Sequence, residues 1–326
     1  MKKGSRLPHT GSCSQSTSFR IDFIAEIQEI KEEGGMMILK QKLVPHPERY
    51  EWIEVDGKKC LFDKFDKHCF SPEAFEQIVA GMKGMPLFYE PALVQSDEEY
   101  VLQRREPFSQ RLAGNYPSPT FEDKSDDFLM SLSTHSLRFV ILSLDIVGST
   151  KLSTSLSPER YNLLVTSVSY EISEAVTKYR GHVLKYTGDG IIAYFPEPSF
   201  NSKNDLAWDC SITLRKLIYK AINPELQVVG LPPIDVRIGL ESGSASVLVI
   251  GSESTKQQLD IIGKVVSIAA KIQSRADVGG IGIGLGTIQN LWTERRLMCE
   301  EVSTPDDWPY KTEDGNPYPM YRVKVR

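Results

Sequence analysis

The pattern of apolar and polar positions divides the 326-residue chain into two stretches. In the first, over residues 19–110, apolar residues recur at helical spacing between Phe23 and Ile30, and Gly34 and Gly35 follow them. Because glycine disfavours the continuation of a helix, this spacing predicts a helix that ends before the glycine pair.

The remainder of the first stretch predicts a small α+β region. Residues 36–44 are typical of a strand, and residues 50–62 are typical of a hairpin with an Asp-Gly turn. The Ser-Pro pair at 71–72 predicts the start of a helix that continues through residue 82. This region contains no catalytic motif, and its role is not indicated.

Two polar segments mark the domain boundaries. Residues 1–18 are rich in Ser and Thr, which is typical of a disordered tail. Residues 114–136 combine Gly, Pro, Ser and acidic residues, which is typical of a linker. The predicted organisation is a disordered tail at 1–18, an N-terminal α+β region at 19–113, a linker at 114–136 and a second domain at 137–326.

The second stretch predicts strands and helices in mixed order. The predicted strands cover residues 138–145, 182–186, 190–195, 234–241, 245–250, 281–285 and 320–325. The predicted helices cover residues 158–179, 205–221, 264–275 and 287–296. We expect tight hairpins at the second and third strands and at the fourth and fifth. This order predicts an α+β fold in which helices pack against one face of a mixed sheet.

The composition is that of an ordinary globular protein. Apolar residues make up 40% of the sequence and charged residues 25%, and the net charge is −5. This acidic balance does not favour a nucleic acid or a membrane surface as a partner. No apolar run reaches the roughly 18 residues of a membrane helix, and the basic N-terminus lacks the apolar segment of a signal peptide. We therefore expect a cytoplasmic protein.

The five cysteines are scattered along the chain and odd in number, which is typical of reduced thiols in the cytoplasm. They are Cys13, Cys60, Cys69, Cys210 and Cys299. Cys60 and Cys69, together with His68, form an incomplete set of metal ligands. Ordinary hydrophobic or surface roles explain these three residues better.

The best candidates for chemistry are two aspartates, 44 residues apart, at turns beside apolar strands. Asp145 ends a strand, and Asp189 lies between two glycines. Two carboxylates among small residues at strand ends suit hard cations, and the turn after Asp145 offers backbone N–H groups to phosphate. This arrangement suits two-metal chemistry on a nucleoside triphosphate. Taken separately, a helix N-cap explains Asp145 and a tight turn explains Asp189 equally well.

Four motifs occur in order in the second stretch. They are LDIVGST at 144–150, KYTGDG at 185–190, VRIGLESG at 236–243 and DIIG at 260–263. Through these motifs, roughly residues 136–326 resemble the catalytic domain of the class III nucleotide cyclases. The resemblance implies a ferredoxin-like palm that converts a nucleoside triphosphate into a 3′,5′-cyclic monophosphate and pyrophosphate. More loosely, the chain resembles the stand-alone pyrimidine cyclases of bacterial anti-phage defence, the Pycsar type.

The resemblance also implies how the site is built. Asp145 and Asp189 would hold two Mg²⁺ or Mn²⁺ ions with the help of the Ile146 carbonyl. The backbone N–H groups of the following turn would bind the β- and γ-phosphates; this turn consists of Val147, Gly148, Ser149 and Thr150. In a homodimer with composite sites, the carboxylates of one protomer would face Lys185 and Asp260 of the other.

Lys185 and Asp260 fall at the positions that read adenine in family members that use ATP. Lysine donates to a ring nitrogen, and aspartate accepts from an exocyclic amine. Adenine and cytosine both present that pattern, whereas guanine and uracil present the reverse. The pair therefore favours ATP or CTP over GTP or UTP, because a mismatched base would leave buried polar groups unpaired.

Two positions depart from the usual family pattern. Ser267 stands where an asparagine usually positions the ribose, and Lys271 stands where an arginine usually contacts the transition-state phosphate. Serine reaches less far, and lysine lacks the bidentate fork of arginine. These two residues are the candidates for the remaining catalytic positions, and Arg237 is assigned no role.

Three interpretations follow from these residues. The first is a pyrimidine cyclase, with CTP preferred over UTP, whose product is read by a separate cyclic-nucleotide effector. In that case Tyr186, beside Lys185, is a candidate for narrowing the base pocket. The second is an adenylate cyclase, and the third is a degenerate domain that binds a nucleotide and regulates a partner.

Overall fold

The computed structural model describes most of the chain. It covers residues 21–33, 36–82, 93–115, 129–130, 136–196, 202–252, 254, 257–304 and 307–324. The predicted tail and most of the predicted linker lie outside these residues. Within them, no helix combines the length and the apolar content that a bilayer crossing requires.

Contacts divide the chain into two compact units. The first comprises Met1–Phe88 with Trp292–Glu294, and the second comprises Tyr89–Leu291 with Arg295–Arg326. The division therefore falls after Phe88 rather than within the predicted linker. The helix Asp97–Leu112 accounts for this difference, because its Val101 and Phe108 are fully buried in the main core of the second unit.

The first unit contains two small antiparallel sheets and a helix. Strand β1 (Phe23–Glu33) pairs with β2 (Met36–Pro45). Strands β3 (Tyr50–Val55), β4 (Lys58–Asp63) and β5 (His68–Phe70) form the second sheet, and helix α1 (Pro72–Met82) follows. The Ser71 hydroxyl accepts a hydrogen bond from the Ala74 N–H at 3.1 Å, which caps α1 as predicted. The predicted strand, hairpin and helix over residues 36–82 are confirmed.

The helix predicted before Gly34 is wrong, because that segment is β1. A β-bulge between Ile27 and Glu29 inserts one extra residue opposite β2. Side chains alternate between the two faces of a strand, so the extra residue returns Ile30 to the face of Phe23 and Ile27. An apolar spacing that suggests a helix thus arises from a bulged strand.

The second unit is built around one large mixed sheet. Its strands are β6 (Ser136–Ile146), β7 (His182–Tyr186), β8 (Ile191–Phe195), β9 (Val236–Gly251), β10 (Gln257–Ile262), β11 (Ile281–Gly284), β12 (Cys299–Val302) and β13 (Met320–Val323). They are arranged in the order β12-β13-β11-β9-β6-β8-β7, with β10 also paired to β9. Only the β9–β11 pair among these described strands is parallel. The predicted α+β class is confirmed.

The helices that follow α1 lie in the second unit, except that the first two residues of the last helix belong to the first unit. They are α2 (Asp97–Leu112), α3 (Ser149–Ser155), α4 (Pro158–Lys178), α5 (Ser202–Leu217), α6 (Asn223–Val228), α7 (Lys264–Arg275), α8 (Leu285–Ile288) and α9 (Thr293–Leu297). A π-helical turn, Ile218–Ile222, joins α5 to α6. The single helix predicted over residues 287–296 is therefore two short helices.

Helices cover both faces of the large sheet, which corrects the prediction that they cover one. Val140 and Leu142 of β6 belong to the apolar cluster that includes α4 and α5. Phe139 and Ile141, which alternate with them, belong to the cluster that includes Val265 of α7. The central strand is therefore apolar on both sides, and its continuous apolar run follows from that burial.

The hairpin predicted over residues 234–250 is also wrong, because β9 is one strand of 16 residues. Its first part pairs with β6, and its last part pairs with β10, a strand that was not predicted. The polar residues 241–244 suggest a turn in the sequence but continue the strand in the sheet. Gly239 lets α7 cross β9 closely, since a Cβ there would lie 2.3 Å from the Ala269 carbonyl oxygen.

Candidate active site

The two predicted carboxylates lie side by side at one end of the sheet. Asp145 is the penultimate residue of β6, and Asp189 lies in the turn between β7 and β8. Strands β6 and β8 pair antiparallel with Leu144 opposite Ile191, which brings the turn beside Asp145. The approach is so close that a Cβ on Gly190 would lie 2.9 Å from Asp145 Oδ1. Glycine at this position therefore allows the two strands to place the carboxylates together.

The negative charges of Asp145 and Asp189 are only partly neutralised by neighbouring groups of the protein. Burial and then the neighbouring Asp189 raise the pKa of Asp145, while Arg237 opposes part of the rise. Asp189 Oδ2 is buried and has no hydrogen-bond partner among the described residues. An orphaned carboxylate oxygen beside a second carboxylate fits a hard divalent cation. Among the residues that the structure describes, no group of three or more His, Cys, Asp or Glu side chains is arranged to hold a metal ion.

Two residues near the carboxylates were not predicted. Arg237 of β9 lies directly opposite Asp145 of β6 in the strand register. Tyr161 lies on α4, and burial followed by the charges of Asp189 and Asp145 raises the pKa of Tyr161. The register of β6 with β9 places Arg237 at the site, and the packing of α4 places Tyr161 there. The spacing of the sequence motifs indicates neither the register nor the packing.

The turn after Asp145 differs in one respect from the expected phosphate cradle. The Val147 N–H donates to the Asp235 carbonyl at 2.8 Å, so it is not available to a phosphate. Gly148 has a positive φ of 72° and precedes α3, whose first residues are Ser149 and Thr150. Their N–H groups belong to the first turn of the helix, which has no intrahelical acceptors for them. The available donors therefore begin one residue later than predicted.

Lys185 and Asp260 form the second pair that the sequence predicted. Lys185 Nζ lies 2.5 Å from Asp260 Oδ2, although the residues belong to β7 and β10. The Asp260 side chain is buried, and its other oxygen accepts from the Ile261 N–H at 2.9 Å. Lys185 is half-buried. The contact places one hydrogen-bond donor beside one acceptor.

Ser267 and Lys271 lie one turn apart on α7. The core side of this helix is formed by Val265, Ile268 and Ile272. Ser267 is exposed and Lys271 is half-buried, so both project away from the core. Their shared side is compatible with action on one ligand.

Tyr186 is at the surface rather than in the core. Its side chain is 57% exposed, and its hydroxyl is 2.9 Å from Ser173 Oγ on α4.

A buried carboxyl group lies within the third motif. Glu241 of β9 is 1% exposed. Its Oε1 accepts from the Tyr318 hydroxyl at 2.7 Å and from the Gly286 N–H at 3.1 Å. Burial raises the pKa of Glu241 to about 8, although these hydrogen bonds oppose part of the rise. Glu241 is therefore a neutral acid over much of the range below pH 8.

Comparison with known proteins identifies the class to which this fold belongs. The sequence profile of the adenylate and guanylate cyclase catalytic domain matches residues 135–304, just over half of the chain. The chain belongs to this family of class III cyclase domains.

Relatives of known activity differ in the nucleotide they use. Cytidylate cyclase from Escherichia coli is 24% identical over 272 residues, which are 81% of this chain and 56% of that protein. Adenylate cyclase 1 from Rhizobium meliloti (strain 1021) is 26% identical over 132 residues, which are 40% of this chain and 19% of that protein. The chain thus spans less than two thirds of the length of either relative.

A solved structure has the same fold. The adenylyl cyclase CyaB from P. aeruginosa is 24% identical, with a TM-score of 0.53. The match covers 59% of this chain and 96% of that one.

Proposed function

We propose that this chain is a metal-dependent nucleotide cyclase that converts CTP into 3′,5′-cyclic CMP and pyrophosphate. The observation that carries the proposal is the pair of Asp145 and Asp189, with its orphaned buried oxygen. Two Mg²⁺ or Mn²⁺ ions would be held by these carboxylates and by the Ile146 carbonyl. When bound, such ions neutralise the triphosphate and lower the pKa of the ribose 3′-hydroxyl.

The protein's own residues would position the triphosphate. The N–H groups of Gly148, Ser149 and Thr150 would bind its β- and γ-phosphates and hold the α-phosphate in line with the 3′ oxygen. Lys271 would place a positive charge on the phosphates, and Ser267 on the same side of α7 would donate to the ribose. Lysine acts there as a point charge, without the bidentate geometry of arginine.

The pair of Lys185 and Asp260 supports recognition of cytosine. A donor directly beside an acceptor matches a ring nitrogen beside an exocyclic amine, and the two groups satisfy each other when no base is present. Adenine has the same edge, so this contact alone also favours an adenylate cyclase as the alternative function. The extent of the match to the E. coli cytidylate cyclase favours CTP. Tyr186, at the surface beside Lys185, is a candidate for closing the pocket around a single ring.

An exposed apolar ribbon supports a homodimer with composite sites. Strands β9 and β10 expose four large apolar side chains, between 39% and 52% of each; these are Leu248, Val249, Ile250 and Ile262. Leu248 lies directly opposite Asp260 in the register. A second copy that covers this ribbon would bring Asp260 and Lys185 into the interface. No hydrogen bond or ion pair joins these two residues to Asp145 or Asp189 within one copy, over the ranges that the structure describes.

The loose resemblance to the pyrimidine cyclases of anti-phage defence extends the proposal to the product. Cyclic CMP would act as a second messenger and would be read by a separate effector that binds cyclic nucleotides.

The proposal is tested by incubating the purified protein with equimolar ATP, CTP, GTP and UTP and Mn²⁺. Products are identified by mass spectrometry. We expect cyclic CMP as the main product and its loss in the Asp145→Asn variant. The matched control is Asp277→Asn, which removes an exposed carboxylate from the same unit.

Other products would discriminate between the alternatives. Mainly cyclic AMP would establish the adenylate cyclase instead. Mainly cyclic UMP would overturn the base-edge argument for Lys185 and Asp260. Nucleotide binding without any cyclic product would indicate a regulatory domain.

A further inference from the structure

Two cysteine thiols of the first unit are in direct contact, and the nucleotide chemistry does not use them. Cys60 lies on β4 and Cys69 on β5, and their Sγ atoms are 2.9 Å apart. In the register of these strands Phe62 lies opposite Cys69. Cys60 is two residues from Phe62, so it is the diagonal neighbour of Cys69 on the same face of the sheet.

We propose that Cys60 and Cys69 form a redox-active dithiol that closes to a disulfide on reaction with a peroxide or a low-molecular-weight disulfide. A disulfide bond is about 2.05 Å long, so the sulfur atoms need to approach by only about 0.9 Å. Rotation of the two side chains would bring the sulfur atoms toward this distance.

The same distance argues against a metal site. In tetrahedral zinc, with Zn–S bonds of about 2.3 Å, two thiolates lie roughly 3.8 Å apart. The contact between Cys60 and Cys69 is much shorter than that. His68 is exposed, and its ring packs against Phe70 with centroids 4.9 Å apart. The part of the chain that the structure describes holds no group of three or more metal-binding side chains of the His, Cys, Asp and Glu types.

The two thiols are unequal, which gives the reaction a direction. Cys69 is partly exposed, whereas Cys60 is buried at 8% exposure. Burial, and then the hydrogen bond and charge of Cys69, raise the pKa of Cys60 to about 11. An oxidant therefore reaches Cys69 first, and Cys60 is the thiol that resolves the product.

Hydrogen peroxide would oxidise the two thiols in two steps. The Cys69 thiolate attacks one peroxide oxygen, the O–O bond breaks, and a sulfenic acid and hydroxide form, the latter taking up a proton as water. Cys60 then attacks Sγ of that sulfenic acid, the S–O bond breaks, and its proton leaves with the departing hydroxide as a second water. Two thiols are oxidised to one disulfide, and one peroxide is reduced to two waters.

The bond would fix a short edge element. Strand β5 has three residues, and Ser71, the N-cap of α1, follows it directly. A disulfide from β5 to β4 would therefore hold the start of α1 against the sheet. The dithiol is therefore a modification site through which an oxidant would restrict the movement of the start of α1 relative to the sheet.

The test uses the full-length protein and peptide mass spectrometry. Trypsin separates the two thiols, because Cys60 lies in the peptide 60–64 and Cys69 in the peptide 68–83. The protein is equilibrated in glutathione buffers of graded ratio, quenched with acid, alkylated and digested. We expect the two thiols to disappear together and the linked peptide to appear with a mass lower by two hydrogens than the sum of the two peptides.

Single variants distinguish the roles of the two thiols. In Cys60→Ala, we expect Cys69 to accumulate as a mixed disulfide with glutathione. In Cys69→Ala, we expect Cys60 to stay reduced. Cys299→Ala is the matched control, because Cys299 is also partly exposed but its sulfur contacts the Arg295 carbonyl rather than a thiol.

Independent titration of the two wild-type thiols would overturn the proposal. So would a disulfide that joins Cys69 to another cysteine, or the absence of the linked peptide under the most oxidising ratio. These readouts use the wild-type chain, so the proposal stays testable if a variant does not fold.

Discussion

Glu241 makes the stability of the second unit depend on pH in a way that one substitution should remove. The folded protein keeps the proton on Glu241 up to about pH 8, because the group is buried. In the unfolded chain the group ionises at its ordinary value of 4.5. Unfolding between these two values therefore releases a proton, and stability must fall as the pH rises through this window. Below pH 4.5 the contribution is fully present.

The size of the effect follows from the width of the window. A rise from 4.5 to about 8 corresponds to at most ~5 kcal/mol, since each unit of pKa is worth about 1.4 kcal/mol. In Glu241→Gln the amide oxygen can still accept from the Tyr318 hydroxyl and the Gly286 N–H, but nothing titrates. Wild type and variant should therefore have similar stability near pH 5. At pH 8 the variant should be the more stable of the two by several kcal/mol.

The measurement is urea unfolding at pH 5, 6, 7 and 8. Pulsed hydrogen exchange on peptides from β9 separates the second unit from the first. The matched control is Glu313→Gln, which removes an exposed carboxylate; its free energy of unfolding should change with pH as that of wild type does. If the free energy of unfolding of Glu241→Gln also changes with pH as that of wild type does, the Glu241 carboxyl group is ionised in the folded protein. That result would refute the reasoning from burial.

Three further predictions concern the carboxylate site. Asp189→Asn should abolish cyclisation, yet raise the stability of the metal-free protein by up to ~1 kcal/mol because it removes the repulsion on Asp145; unchanged turnover would exclude a metal role. Mixing Asp145→Ala and Lys185→Ala protomers should restore part of the cyclase activity, because each mixed dimer has one intact composite site; no rescue despite demonstrated exchange would contradict a shared site. Gly190→Ala should destabilise the protein by about 1–3 kcal/mol and reduce turnover, because its methyl group would meet Asp145 Oδ1 and the Leu144 carbonyl; wild-type thermal stability and turnover would contradict the close approach.

Elements with local signals could be predicted from the sequence. Helix α4 begins at Pro158, as predicted, and the Ser157 hydroxyl accepts a hydrogen bond from the Arg160 N–H, which caps the helix. Helix α7 has the predicted bounds, and the hairpin of β7 and β8 turns where Gly188 and Gly190 predicted it. In each case a cap, a turn residue or an apolar period acts within a few residues of the chain.

The errors share a different cause, because they depend on partners that are distant in the chain. The bulge in β1 is a property of the pairing of β1 with β2, so the spacing of Ile27 and Ile30 alone indicates a helix where the structure has a strand. Strand β9 continues through its polar middle because β6 pairs with residues on both sides of it. The second layer of helices follows from the docking of α7, which no local pattern encodes.

The contrast between local signals and distant partners also explains which residues of the candidate site could be predicted from the sequence. Asp145 and Asp189 were predicted because each stands in a recognisable turn. The sequence indicates no role for Arg237, because the position of Arg237 opposite Asp145 is set by the register of β6 with β9. Val147 was expected to bind phosphate, but its N–H is occupied by Asp235, a residue 88 positions away. Local sequence indicates the candidate carboxylates, whereas the pairing of the strands determines which residues lie beside them.

Ionisation of Asp145 and ionisation of Glu241 should each lower the stability of the fold as the pH rises. A bound cation should offset this loss of stability for Asp145 but not for Glu241. Burial and Asp189 raise the pKa of Asp145, so its contribution is also lost as the pH rises through that raised value. Mn²⁺ bound to the two carboxylates favours their ionised forms, and at 100-fold its dissociation constant it should stabilise the fold by about 2.7 kcal/mol. The Glu241 carboxyl group instead accepts hydrogen bonds from the Tyr318 hydroxyl and the Gly286 N–H. Adding Mn²⁺ to Glu241→Gln should therefore flatten the remaining pH dependence, whereas in wild type the slope up to pH 8 should persist. A wild-type slope that vanishes with Mn²⁺ alone would assign the whole effect to the carboxylate pair.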